Sequence, residues 1–113
     1  PKWGGFYLPK VLTHQGCGGE ALQTPYPVSI VHAVAPLYVA TSCQSFCTKL
    51  KYKMLNVLRI CHKHGHRHLV LCAWGVDKGA PPMLIARLFR EVLLETDEFV
   101  NLFDSVVFAL DSN

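Results

Sequence analysis

The sequence lacks the features that mark several large protein classes. No apolar run reaches the roughly 18 residues of a membrane-spanning helix, and the opening Pro1-Lys2-Trp3 has no secretory pattern, so the chain is expected to be soluble. Charge is sparse, with 17% of residues charged and a formal net charge of +3. The lysines and arginines are scattered rather than clustered, which makes a nucleic-acid partner a poor expectation. No internal repeat, low-complexity tract or clear linker is present. There is no initiator methionine either, which suggests a processed product or one piece of a larger polypeptide. The cysteines Cys17, Cys43, Cys47, Cys61 and Cys72 are odd in number, which favours reduced thiols over a disulfide framework and points to an intracellular compartment.

What is abundant is apolar. Half of the 113 residues are hydrophobic, enough to bury a core and to exclude a disordered chain. Residues 1–27 are rich in Gly, Pro and polar types and read as a loop or hairpin segment, with Val11 to His14 a short strand before the Gln15-to-Gly19 turn. Val28 to Ala35 is β-branched and apolar on both faces, as in a strand covered from each side, and Pro36 ends it. From Ser42 to His64 the residues Phe46, Leu50, Met54, Val57, Leu58 and Cys61 form one helical face, with Thr41 or Ser42 to cap its start and Gly65 its end. His68 to Trp74 reads as a second buried strand, Pro81 to Leu94 as a second helix, and Asp104 to Leu110 as a third strand. The inner face of the second helix carries Leu84, Ile85, Leu88, Phe89 and Val92. Residues 28–113 thus form a β-α-β-α-β core in a single α/β domain, with parallel pairing through right-handed crossovers. Three parallel strands are few for a sheet covered on both faces, so the domain is expected to be incomplete, with further strands elsewhere.

The turn Trp74-Gly75-Val76-Asp77-Lys78-Gly79-Ala80-Pro81 lies at the carboxyl end of a strand and opens a helix, the place where open α/β sheets hold ligands. Amides at a helix N-terminus favour an anion there, the two glycines allow close backbone approach, and Lys78 adds positive charge. The residues match neither the Walker nor the GxGxxG spacing. Glycines also serve ordinary strand-to-helix connections.

Leu69 to Leu93 followed by Phe103 to Asn113 resembles the closing half of the microbial-type poly(ADP-ribose) glycohydrolase (PARG) catalytic domain. PYPVSIVHAVAP and YLPKVLTHQGCGGEALQTPYPV are similar to the same family's preceding strand and hairpin. The resemblance implies a macrodomain-like three-layer α/β sandwich that binds ADP-ribose or poly(ADP-ribose) and hydrolyses ribose–ribose glycosidic bonds, with no cofactor or metal. It also implies that Trp74, Gly75, Lys78, Gly79, Ala80 and Pro81 form the diphosphate turn. Where the family reads W-G-C-G, an aromatic and G-N, this chain has Val76-Asp77-Lys78 and then Gly79-Ala80, while Leu37 replaces an asparagine. The family's triple-glycine and Q-E-E segment, which carries the glutamate acid, has no counterpart in these 113 residues. Glycoside hydrolysis requires such an acid. The only glycine-rich carboxylate, Glu20, reads as a solvated turn residue, so no catalytic residue is assigned. The chain is then expected to be inactive alone, either as part of a glycohydrolase or as a degenerate module serving as a structural or interaction subunit.

Cys61, His62, His64, His66 and His68 offer imidazole and thiol groups suited to zinc, but a helix end and a strand start would aim them apart. Histidines also suit a helix C-terminus on their own account. Cys43 and Cys47 are expected to be accessible at a helix start, where a thiol's pKa can fall. Cys61 and Cys72, with Phe89, Phe99, Phe103 and Phe108, are expected in the core.

Overall fold

A computed structural model describes residues 5–16 and 18–110. Cys17 and part of the terminal motif Phe103 to Asn113 therefore lie outside the described residues. The elements run β1 (Phe6–Gln15), β2 (Ala21–His32), α1 (Cys43–Lys63), β3 (His68–Cys72), α2 (Pro82–Arg90) and β4 (Ser105–Ala109). This is an α/β unit with two small sheets. β1 and β2 form an antiparallel hairpin, and β3 pairs with β4 in parallel, Leu69 beside Val106 and Leu71 beside Phe108. No helix among the described residues is long and apolar enough to cross a membrane.

The core lies between the helices. Phe46, Leu50, Met54, Leu58 and Cys61 of α1 meet Ile85, Leu88 and Phe89 of α2, with Val92 sealed beside them. The helical stripe read from the sequence is thus the buried one. At its start a 3-10 turn over Ala40–Ser42 leads in, with Ser42 N–H donating to Val39 O at 2.9 Å. The expected Ser42 side-chain cap is not made, because the backbone turn does the work of entry. At its end Gly65 takes φ +80°, His66 N–H donates to Cys61 O and Gly65 N–H to His62 O, the paired bonds of a Schellman stop. α2 passes into a π turn, Glu91–Glu95, which keeps the second helix continuous to the expected length.

The strands depart from expectation. β2 is longer than the strand read from Val28 to Ala35, crosses position 27, and bonds to β1 rather than joining a parallel sheet. Pro25 and Pro27 cannot donate to a ladder, which suits an edge strand. Facing β3 across a gap of about 230 Å³, Val31, His32 and Ala33 line one wall and Val70, Leu71 and Cys72 the other. Among the described residues no strand joins the two sheets, and the double-sided burial expected for both strands is not reached. Val28 and Ile30 are exposed, as is Val70 at 73%. Cys72, expected in the core, is exposed. Phe108 is exposed too, although its ring meets Phe89 edge-on at 5.2 Å, while Phe103 is half-buried.

Two bulk quantities agree with this openness. The accessible surface is 7907 Å², against roughly 6200 Å² for a compact monomer of this mass. The radius of gyration is 15.2 Å, against about 13 Å for a closed domain of this length.

Candidate ligand site at the β3–α2 turn

The turn after β3 is built on two left-handed glycines. Gly75 at φ +99° and Gly79 at φ +92° bracket a 3-10 turn over Val76–Lys78. L-residues pay steric strain in this region, so glycine fits both places. Gly75 has a second constraint: a Cβ there would lie 3.4 Å from Ile85 Cδ1 and 3.7 Å from Ala35 Cβ. Around Gly79 the space is open.

The six residues read as a diphosphate turn divide between two environments. Trp74 packs against the core, and Gly75 and Ala80 are buried. Lys78, Gly79 and Pro81 face solvent, with Asp77 beside them. A segment absent from the local motif holds the turn from the other side. Trp74 Nε1–H donates to Ala33 O at 3.1 Å, and Tyr38 N–H donates to Lys78 O at 3.2 Å. Residues 33–39 therefore wall the turn, while Leu37, in place of the family's asparagine, is 69% exposed.

Amide donors decide what such a turn can offer an anion. Val76 N–H donates to Ala73 O, Lys78 and Ala80 N–H to Gly75 O, and Gly79 N–H to Val76 O. Pro81 and Pro82 have no amide hydrogen, and Leu84 and Ile85 N–H both donate to Pro81 O. The helix N-terminus thus offers fewer donors than the sequence pattern suggested. Gly75, Asp77 and Met83 are left as the amides that this internal bonding does not use.

The other candidate groups are engaged elsewhere. Glu20 Oε2 accepts from Gly18 N–H at 2.9 Å inside the hairpin turn, which suits its reading as a turn residue. Tyr7 stacks on His64 with ring centroids 3.8 Å apart, and its hydroxyl lies 2.6 Å from His66 Nε2. His68 Nδ1 lies 2.9 Å from Ser105 Oγ, and His62 is exposed. Among the described residues no three His, Cys, Asp or Glu groups converge as a metal site. Cys43 and Cys47 are half-buried rather than fully accessible. Burial, followed by the Cys43 thiol one helical turn away, pushes the Cys47 thiol up, opposite to the activation expected at a helix start. Burial likewise raises Cys61.

Sequence reasoning missed Lys53, which is buried in α1 with Nζ 2.6 Å from Val34 O. Its signal was legible: a lysine three positions after Leu50, on the apolar stripe itself.

No family model matches the chain, and a search of curated proteins finds no match. Solved structures do match. Poly(ADP-ribose) glycohydrolase from Deinococcus radiodurans in complex with ADP-ribose superposes with a TM-score of 0.83 and 35% identity, over 95% of this chain and 46% of that one. The fold is PARG-like. The apo form of the same protein gives 0.80 and 35%, over 92% and 45% of the two chains. A point mutant of the enzyme from Thermomonospora curvata gives 0.87 and 32%, over 95% and 43%. The chain therefore spans about half the length of these PARG structures, which fits its reading as one half of such a domain.

Proposed function

We propose that this chain is the diphosphate-holding half of a PARG-like domain, binding ADP-ribose or the terminal unit of poly(ADP-ribose) at the Trp74–Pro81 turn. The observation that carries the reading is the match to an ADP-ribose complex across 95% of the chain at 35% identity. The local structure supplies a rationale. Gly75, Asp77 and Met83 offer amides, Lys78 offers a cation, and residues 33–39 hydrogen-bond to the turn from the other side. Asp77 opposes the anion, which predicts weaker binding than a turn without that carboxylate would give. Ribose–ribose hydrolysis would need a carboxylic acid from outside these residues, since Glu20 is spent in the hairpin. In a complete domain, a strand bonded to both β2 and β3 would close the gap between the sheets. Reduced thiols suit an intracellular location.

Calorimetric titration with ADP-ribose tests this. Saturable heat is expected, reduced by Lys78→Glu and increased by Asp77→Asn. No heat at millimolar ligand from a folded chain would reject it.

A second reading is favoured by the unbridged strand edges: a catalytically inactive module that serves as a subunit of a larger assembly. Under that reading the isolated chain self-associates or unfolds on dilution. Sedimentation showing a stable folded monomer would count against it.

A further inference from the structure

Lys53 is the buried charge among the described residues that no ion pair explains. It is 7% exposed, lies on the apolar stripe of α1, and donates from Nζ to Val34 O at 2.6 Å. A lysine there carries a desolvation cost, which lowers its pKa. The carbonyl it serves belongs to residues 33–39, which form neither helix nor strand before the 3-10 turn at Ala40. That stretch supplies the wall of the turn: Ala33 O receives the Trp74 indole, Tyr38 N–H reaches Lys78 O, and Ala35 Cβ stands 3.7 Å from where a side chain on Gly75 would begin. Val34 lies between the first and last of these contacts.

We infer that Lys53 is a positioning residue, an ammonium pin from α1 that fixes the Ala33–Tyr38 wall against the Trp74–Pro81 turn. The long stem packs along the helix stripe, while the head reaches a backbone acceptor. Leucine or methionine would fill the volume and leave Val34 O without this donor. The stripe needs only an apolar side chain at this position, so the hydrogen bond is what distinguishes lysine.

Amide hydrogen exchange tests the pin without any ligand. In Lys53→Met the Tyr38 amide is expected to exchange about tenfold faster or more, while Lys53→Arg, which keeps a donor, restores protection. Lys49→Met, one turn earlier and itself exposed, leaves Tyr38 unchanged. A folded Lys53→Met chain with Tyr38 as protected as in the unmodified protein would overturn the inference. If Lys53→Met does not fold, the unmodified chain decides: the Lys53 ammonium protons should exchange with water more slowly than those of Lys49, and equal rates overturn the pin. Its consequence for ADP-ribose rests on the function proposed above. Faster Tyr38 exchange with about tenfold weaker ADP-ribose binding supports both, whereas faster exchange with no binding by either chain supports the pin and counts against the ligand reading.

Discussion

Leu50, Met54, Leu58, Leu88 and Val92 are sealed between the helices, whereas Leu8, Val28, Ile30 and Val70, apolar residues of the same kind, stand exposed on the strands. The contrast comes from the way each element satisfies its backbone. A helix completes its hydrogen bonds within itself and needs one apolar partner, while a strand needs a neighbour at each edge and cover on its faces. About half the length of a PARG structure is therefore enough to close the helical core around α1 and α2. It is not enough to close the sheet, and about 1,700 Å² of surface beyond that of a compact monomer remains open.

The sharpest way to break this comparison is to cut equal side chains from both regions. Leu50→Ala in the sealed core is expected to cost about 3–4 kcal/mol, while Ile30→Ala on β2 costs less than about 1 kcal/mol. Urea denaturation compares the two, and similar losses would mean that the strand side is packed in solution. The next largest contrast lies inside the turn. Gly75→Ala combines left-handed strain with crowding by Ile85 and should cost about 1 kcal/mol more than Gly79→Ala, which meets strain alone. Thermal melts of both variants report the difference. At the seam between hairpin and core, Tyr7→Phe removes the hydroxyl facing His66 and Ser29 and should cost roughly 0.5–1.5 kcal/mol. Faster exchange of β1 amides without change in α2 amides would place that loss in the hairpin.

The smallest effect is electrostatic. Arg67 holds Asp104 through paired bonds of 2.9 and 2.7 Å and keeps its carboxyl below the usual range. The stabilising contribution is fully present above the unfolded carboxyl's pKa and is lost as pH falls through the lowered folded value. Asp104→Asn should flatten that part of the acid-stability profile slightly, and both groups are exposed enough for salt to screen the pair.

Much of the helical side was legible in advance. The Phe46-to-Cys61 spacing named the buried face of α1, Gly65 marked its stop, and the Ile85–Val92 pattern named the inner face of α2. Parallel pairing of the last two strands followed from the long connection between them. The hairpin about the Gln15-to-Gly19 turn was legible, but its second strand running on through Val28 to His32 was not, because apolar composition states that a strand seeks cover without saying which strand lies beside it. Cys72 and Phe108 failed as core residues for the same reason, since among the described elements none covers them fully. At the turn, residue types suggested an anion site, but the amide accounting that leaves Gly75, Asp77 and Met83 required the actual backbone. The 33–39 wall and Lys53 behind it depend on contacts between distant parts of the chain, which no local motif reports.

The most direct test of the account is amide chemical-shift mapping of the folded chain as ADP-ribose is added. Saturable shifts centred on Gly75, Asp77 and Met83, with the hairpin residues unmoved, are the predicted result. Shifts confined to the exposed faces of β2 and β3, or no shifts at millimolar ADP-ribose, would contradict a diphosphate site at this turn.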